Sequence, residues 1–321
     1  MPVALTPFLI SFAACLAMHV WPSGLFLWAI IWGITVMLGA YYMELKQLLA
    51  MIAGNVLFLL LLGESSLTLE MMVFYALPIT AAAVLLKVKK SYYAVLGAAL
   101  LTVVVCTVSY MGVSYVYLGD EGVAQIKSGI NATMENSLTW AEQSGFVQFY
   151  EQQGISKSEI KAAYAELAHL LWVFTPALLC MQALFAVLLI IYLSSRLFTR
   201  MRLPGLERKP FREEIMPWQL SWVVIAGLAC WLLGRDQLNW LYYGGANLLV
   251  VLLPVTIFYG LAVFAYWLRR LPANIKIWIV ALLVILGLFF TVPAIIFIGL
   301  TGLFDSLLDY RKLRGKKEGV Q

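Results

Sequence analysis

The sequence predicts an all-α membrane protein, a polytopic bundle of about ten transmembrane helices. Of its residues, 63% are hydrophobic and 12% are charged, which is about half the charged share of a soluble protein. Its apolar stretches repeatedly reach eighteen or more residues, the length that crosses about 30 Å of hydrocarbon as a helix. They are continuous, whereas a transmembrane β-barrel would have short alternating segments.

The apolar stretches follow one another with mostly short loops, so neighbouring helices should be antiparallel. The first stretch has no basic residues before it, unlike a secretory signal, and we expect it to be retained as a span. The predicted spans are residues 3–20, 24–43, 46–63, 69–86, 91–118, 167–195, 217–234, 238–268, 275–290 and 293–309.

The last two predicted spans come from one apolar run, residues 275–308, which is long for a single crossing even with tilt. Pro293 removes a backbone donor within it and disfavours helix just before it, so we divide the run there. The alternative is one kinked helix, nine spans in all, and a C-terminal tail on the opposite side.

A polar stretch, residues 119–166, separates the fifth and sixth spans. Apolar residues recur in it every three or four positions, which predicts an amphipathic helix. Ser156 and Glu159 have capping-box spacing, which predicts a second helix that runs into the next span, with Pro176 as a kink. The expected domains are 1–118, the extracytoplasmic insertion 119–166, 167–216 with the sixth span and a basic loop, 217–310, and the basic tail 311–321.

The basic residues predict the orientation. Eighteen of the 22 lysines and arginines belong to loops that this topology places on one side, and the positive-inside rule makes that side cytoplasmic. We therefore expect a multi-pass protein of a bacterial cytoplasmic (inner) membrane with both termini in the cytoplasm. The positive charge should face anionic lipids rather than nucleic acid.

Catalytic motifs are not recognisable in the sequence. The two histidines, His19 and His169, lie far apart, and the four cysteines have unrelated spacings inside apolar spans. We expect neither an enzyme nor a bound metal or cofactor.

Polar residues at membrane depth are the candidates for ligand binding, because they are costly there and usually face protein or water. Asn55, Gln182 and Asn247 are the deepest, and Trp240 and Tyr243 precede Asn247 beside two glycines. A cavity open to the outside is one interpretation. Hydrogen bonds between helices, and an ordinary interfacial belt of aromatic residues, are the alternatives.

The chain ends with two carboxylates beside cations. Asp305 and Asp309 are four residues apart, hence on one helical face, at a helix end where the dipole favours cations. Each should pair with a cation, either locally with Arg311 or Lys312 or with the inner loop after the sixth span; we favour the loop pairing. A docking face for a cytoplasmic partner is the alternative. The loop candidates are Arg196, Arg200 and Arg202.

Several segments resemble the YybS-like family of predicted bacterial membrane proteins. They are "GLTGLFDSLLDYRK", "NLLVVLLPVTIFYGLAVFAYWLRR", "FREEIMPW", and "FTPALLCMQALFAVLLIIYLSSRL" followed by "MRLPG". In the first 115 residues the resemblance rests on the pattern of spans.

This resemblance implies a distant relationship to the S components of energy-coupling-factor vitamin transporters, six-helix proteins that bind a small substrate from outside. Some S components dock on a membrane partner through an Ala-x-x-x-Ala face, which Ala13 and Ala17 match. The first six spans would then bind or transport a small molecule or lipid. The alternative is a membrane scaffold or assembly factor that acts through protein partners without transport.

Overall fold

The computed structural model describes residues 5–62, 65–235 and 238–313, and these residues are almost entirely helical. No β-strand occurs in those ranges, which confirms the all-α prediction. A π-helical turn, Met72–Ala76, joins α4 to α5. The helices are α1 (Leu5–Val20), α2 (Leu25–Tyr42), α3 (Leu45–Leu61), α4 (Ser65–Met71), α5 (Leu77–Lys87), α6 (Tyr92–Gln143), α7 (Phe146–Gln152), α8 (Lys157–Arg200), α9 (Trp218–Gly234), α10 (Asn239–Arg269), α11 (Ala273–Phe289) and α12 (Thr291–Leu308).

Each predicted span falls on an apolar helix of the structure. Within the described residues, six helical segments are long and apolar enough to cross a membrane, and four apolar helices, α1, α3, α9 and α11, are shorter. The chain is therefore a membrane protein with several apolar helices. The six long segments are Pro22–Tyr42, Leu67–Lys87, Tyr92–Tyr117, Lys157–Arg200, Asn239–Arg269 and Thr291–Leu308.

The chain forms two compact units, Met1–Arg208 and Lys209–Gln321. The boundary lies inside the predicted basic loop, eight residues before the predicted domain boundary at 216. The first unit comprises α1 to α8, and the second comprises α9 to α12.

The first unit is built around α2, which contacts α1, α5 and α8. Trp32, Val36 and Met37 of α2 are fully buried, as is Ile190 of α8. A β-carbon on Gly33 would lie 2.6 Å from the Ile190 side chain, so the missing side chain lets α8 approach α2 closely. Large apolar side chains fill this interior, and close packing is how helices associate in lipid.

The polar insertion forms helices as predicted. Helix α6 continues to Gln143 and bends at Gly119, whose φ of 54° and ψ of −151° leave the helical region. Helix α8 begins after Ser156, which accepts a hydrogen bond from the Glu159 N–H at 3.3 Å while Glu159 Oε2 accepts from the Ser156 N–H at 2.8 Å. The predicted capping box is thus confirmed, and α8 runs unbroken through Pro176.

In the second unit α10 lies between α9 and α12. Glycines allow close backbone contact between α10 and α12. A β-carbon on Gly260 would overlap the Ile298 carbonyl oxygen, and one on Gly302 would overlap the Thr256 carbonyl oxygen. Small residues at such crossings are typical of packed membrane helices.

The run 275–308 divides into two helices, as predicted from Pro293. The break falls at Phe290, whose φ of −122° and ψ of 50° are not helical. Helix α12 contacts α9, α10 and α11, whereas none of the residues of α11 is buried. Within the second unit, α11 is thus an apolar helix without a buried residue.

Candidate functional site

A polar pair, Ser11 and Asn55, lies between α1 and α3 in the otherwise apolar interior of the first unit. The Ser11 side chain is completely buried, and only 1% of Asn55 is exposed. The Ser11 hydroxyl donates to the Phe8 carbonyl oxygen at 2.8 Å and lies 3.4 Å from Asn55 Oδ1. Because one hydroxyl proton serves both acceptors, the contact with Asn55 is weak.

One polar atom of the Asn55 amide lacks a partner. Its Nδ2 is buried and makes no hydrogen bond with the described residues. Exchanging the amide nitrogen and oxygen, which are hard to distinguish, would let Nδ2 donate to Ser11 Oγ and leave Oδ1 unpartnered instead. A buried amide group without a hydrogen bond costs about 1–3 kcal/mol, so this atom is a candidate contact for a bound polar group.

Aromatic side chains line the same seam between α1 and α3. The ring centroids of Phe8 and Phe12 are 4.9 Å apart, and those of Phe12 and Phe58 are 5.3 Å apart. All three rings are at least partly exposed. Gly54 leaves room beside them, since its β-carbon would be 3.6 Å from Phe12. The seam therefore combines one unsatisfied polar atom with an accessible aromatic surface.

Gln182, the second predicted polar residue, lies on α8 of the same unit. It is exposed on the unit's surface and hydrogen-bonds Tyr75 of the π-helical turn. Tyr75 is 2% exposed. The interaction matches the interhelical hydrogen bond that the sequence left open as an alternative.

The other predicted ligand residues belong to the second unit. Trp240 and Tyr243 are exposed, and the Asn247 amide donates to the Tyr243 carbonyl oxygen of its own helix at 2.9 Å. Gly245 lets α10 approach α9, because its β-carbon would be 2.5 Å from the Trp231 nitrogen. The ligand role of these residues stays a prediction.

The predicted docking residues on α1 are accessible in the first unit. Ala13 is exposed and Ala17 is half-buried, whereas their neighbours Ala14 and Met18 are buried in the core. The Ala-x-x-x-Ala face thus does not pack into the unit's own core.

The C-terminal carboxylate Asp305 is buried and pairs with Arg311. Arg311 Nε and Nη2 donate to Asp305 Oδ2 at 3.0 and 2.7 Å, and the guanidinium also donates to the carbonyl oxygens of Arg212 at 2.7 Å and Glu214 at 2.6 Å. The preference for a distant pairing with the loop arginines is wrong for Asp305, since its cation is six residues away. The loop contributes main-chain oxygens instead.

Asp309 does not share a helical face with Asp305, contrary to the prediction. Helix α12 ends at Leu308, and Asp309 has a φ of 45° in the left-handed region. Its Oδ1 accepts from the Leu313 N–H at 3.1 Å, and Lys312 is exposed. The left-handed turn is what carries Arg311 back to Asp305. The rest of the predicted tail, 314–321, lies outside the described residues.

A second polar contact ties α12 to the start of α9. Ser306 Oγ donates to the Met216 carbonyl oxygen at 2.8 Å and accepts from Ser221 Oγ at 2.9 Å. Sequence reasoning missed both serines, as it missed Ser11, although a hydroxyl within an apolar span is a recognisable signal of helix contact. The main-chain carbonyls of Arg212 and Glu214 give no sequence signal.

The described part of the chain was searched for clusters of metal-ligating side chains. No group of three or more His, Cys, Asp or Glu side chains could hold an ion there. The four cysteines are free thiols.

Comparison with known protein families gives a match over most of the chain. A family model described as "Predicted membrane protein (DUF2232)" matches residues 8–306. The chain belongs to this family. The match covers both units of the fold, and membership agrees with the resemblance at the level of a membrane-protein family. No curated protein and no solved structure matches the chain.

Proposed function

We propose that this protein binds a small molecule or lipid within the membrane, through Asn55 in the first unit. The observation that carries the proposal is the Asn55 amide, 1% exposed and with one polar atom unpartnered among the described residues. Buried polar atoms in native proteins almost always have a protein, water or ligand partner. A ligand that supplies this partner removes the cost of burying the amide.

The surroundings of Asn55 favour a mainly apolar ligand with one hydroxyl or carbonyl group. Such a group pairs with the amide in either of its orientations, by donating to Oδ1 or accepting from Nδ2. The apolar part lies against Phe8, Phe12 and Phe58, whose rings are accessible along the seam. Binding sites of this kind are mostly apolar with few polar groups that set orientation.

A role in transport in the manner of an S component extends this proposal. Its support is that Ala13 is exposed and Ala17 half-buried on α1, where small residues allow a partner helix to approach closely. We propose that the chain crosses the membrane ten times with both termini in the cytoplasm. We also propose that it binds its ligand without catalysing a reaction. The ten apolar helices and the short loops between most of them support that topology.

Native mass spectrometry of the purified full chain tests the binding proposal. The unchanged protein should release a co-purifying small molecule or lipid, and Asn55→Leu should release none while remaining folded. Asn247→Leu is the matched control, because the Asn247 amide already donates to Tyr243, and it should keep the molecule. Co-purification that is the same in both variants, or absent from the unchanged protein, refutes the proposal.

The stability of Asn55→Leu gives an independent result. If the amide is only an unsatisfied polar group, its replacement should raise the free energy of unfolding by about 1–3 kcal/mol. If it holds a ligand, the variant should lose the stabilisation that the bound ligand gives.

A membrane scaffold is the second candidate, and helix α11 supports it. Its 17 residues include none that is buried, and at about 1.5 Å per residue it is shorter than the hydrocarbon core. Short apolar helices reduce this mismatch by associating with other helices. We propose the transmembrane helix of a partner protein as the occupant.

The scaffold proposal is tested by substituting Trp278 and Ile277, which are 76% and 69% exposed, with alanine. A protein chain of defined mass that co-purifies stoichiometrically should dissociate from this variant. Trp240→Ala, another exposed tryptophan, is the control. A chain that purifies without a partner from its native membrane refutes the scaffold.

A further inference from the structure

The polar insertion of the first unit forms a helical hairpin beyond the apolar part of α6. The candidate crossing in α6 ends at Tyr117, and the hairpin, residues 120–171, contains the rest of α6, the whole of α7 and the beginning of α8. A salt bridge of 3.0 Å between Lys157 Nζ and Glu142 Oε1 joins its two long arms. Ala141 and Ala168, one in each arm, are buried. The arms therefore pack against each other along their length.

An apolar cleft of about 390 Å³ lies between the two arms, within the size range of sites that bind ligands. The only polar side chain among its lining residues is Thr133, whose hydroxyl already donates to the Gly129 carbonyl oxygen at 2.8 Å. Ile126 is 45% exposed, so the cleft is accessible. The lining residues are Ile126, Gly129, Ile130, Thr133, Met134 and Leu171.

The apolar surface continues from this cleft towards α7. Trp140 follows Thr133 by seven residues, which is two helical turns, and hence lies on the same side of α6. Its ring centroid is 5.9 Å from that of Phe146, and both side chains are exposed. From Ile126 to Trp140 the resulting groove is about 21 Å long at 1.5 Å per residue. That length accommodates about four turns of another helix.

The charges of the hairpin are distributed unevenly around this groove. The hairpin carries seven carboxylates and three lysines. Glu159 is exposed and belongs to the row of every fourth residue of α8 that ends at Leu171 in the cleft, and the exposed Glu166 lies beside this row. Lys157 is turned towards α6 by its salt bridge, and Lys161 follows it one turn later on the same face. The α8 edge of the groove is therefore acidic.

We infer that this groove binds an amphipathic helix with a cationic polar face, supplied by a partner protein on the same side of the membrane. Grooves of this kind take up the apolar face of a helix, and an exposed apolar patch with a polar rim marks an interaction site. The carboxylates at the edge favour a cationic partner. A second copy of this chain would bring another negatively charged hairpin, and an anionic lipid surface would be repelled in the same way.

Two synthetic peptides of about 18 residues, long enough to form a helix, test this inference. They share a leucine face, and the polar face of one carries lysine whereas that of the other carries glutamate. Their binding to the full-length protein in neutral detergent is measured by fluorescence anisotropy, with protein-free micelles as the blank. The lysine peptide should bind at least about tenfold more tightly than the glutamate peptide. Equal binding of the two, or no binding of the lysine peptide, overturns the inference.

A matched pair of double variants tests the apolar part of the groove. Ile126→Ser with Ile130→Ser should weaken binding of the lysine peptide about tenfold, because both side chains line the cleft. Phe149→Ser with Ile155→Ser changes exposed apolar residues of the same hairpin that are not among the lining residues, and binding should be unchanged. Equal losses in the two variants would show general adhesion to the hairpin and overturn the site.

A second pair of variants tests the acidic edge. Glu159→Gln with Glu166→Gln should weaken binding of the lysine peptide about threefold, and glutamine at position 159 can still complete the capping box of α8. Glu121→Gln with Glu135→Gln removes the same charge from exposed positions on the far side of α6, and binding should change less. Equal changes would contradict recognition at this edge.

The other occupants of the groove give distinct results. A dimer in native mass spectrometry that Ile126→Ser converts to monomer would assign the groove to a second copy of the chain and overturn the inference. Displacement of the lysine peptide by phosphatidylcholine would assign it to lipid and overturn it as well. If the double variant at Ile126 and Ile130 fails to fold, Ile126→Ser alone should weaken peptide binding about threefold, and undiminished binding contradicts the inference.

Discussion

Asp305→Asn should destabilise the second unit far more than Asp309→Asn, although both variants make the same chemical change four residues apart. Asp305 is 1% and Arg311 4% exposed, and removing the carboxylate leaves the guanidinium buried without its counter-ion. Asp309 is half-buried, and its carboxylate accepts the Leu313 N–H at 3.1 Å. The comparison therefore contrasts a fully buried carboxylate with a half-buried one.

The contacts of Arg311 set the expected size of the effect. Removing one partner of a buried ion pair costs about 3–5 kcal/mol. The guanidinium keeps the carbonyl oxygens of Arg212 and Glu214 at 2.7 and 2.6 Å, and asparagine retains one acceptor oxygen, so we expect the low end, about 3 kcal/mol. For Asp309→Asn we expect a smaller loss, because Asp309 is half-buried and asparagine keeps an oxygen that can accept the Leu313 N–H.

Unfolding in mixed micelles with increasing dodecyl sulfate measures these free energies. The reactivity of Cys230, which lies in α9, reports on the second unit, and that of Cys15, which is fully buried in the first unit, is the control. Asp305→Ala combined with Arg311→Met should cost clearly less than the sum of the two single changes. If Asp305→Asn costs no more than Asp309→Asn, or if the double variant is additive, the ion pair does not stabilise this unit.

Three further predictions concern packing, capping and topology. Gly302→Ala places a β-carbon against a main-chain oxygen of α10 and should lower the free energy of unfolding by about 1–3 kcal/mol. Gly287→Ala is the control, because a β-carbon at Gly287 would have no atom within 4 Å, and it should not lower the free energy of unfolding. Ser156→Ala removes the cap of α8 and should speed amide hydrogen exchange in the first turn of that helix. The free energy that protects these amides should fall by about 1 kcal/mol, and exchange at the unchanged rate contradicts a stabilising role of the capping box. Single cysteines at Ser137 and at Gly315, the latter outside the described residues, should be labelled from opposite sides of the membrane, and labelling of both from one side refutes ten crossings.

Local signals in the sequence predict the helices of this protein well. An apolar run can be recognised as a helix without knowing what packs against it, because in lipid a helix satisfies its own backbone hydrogen bonds. Pro293 and the Ser156–Glu159 pair act within a turn or two of their own position, and the structure has a break at Phe290 and a capping box at Ser156. Such features depend on neighbours along the chain, so one sequence suffices to predict them.

The partner of Asp305 could not be predicted in the same way. The sequence offers cations both near and far, and it favours the far ones only on the argument that a distant pairing would tie the last helix to the first six spans. A left-handed residue at position 309 ends that helix and turns Arg311 back. Aspartate adopts this conformation more readily than most residues, but whether it does so depends on what the turned chain then contacts.

The candidate ligand residues also show a difference that depends on packing and is not visible in the sequence. Asn55 and Asn247 are both single asparagines in apolar helices, and the sequence treats them alike. Only packing distinguishes them. Asn247 donates to its own helix, whereas Asn55 is buried beside Ser11 with one polar atom that has no hydrogen bond to the residues the structure describes.

The sequence by itself determined the class of protein, the positions of its apolar helices and the break in the last apolar run, because hydrophobicity, length and proline act locally and add along the chain. The tertiary structure alone decided which polar groups meet: Asp305 with Arg311 and two loop carbonyls, Asn55 with Ser11, and Lys157 with Glu142. The physical reason is that a hydrogen bond or an ion pair depends on distances of a few ångströms between residues that can be far apart in sequence. Those distances are set by the packing of whole helices, which no single stretch of sequence specifies.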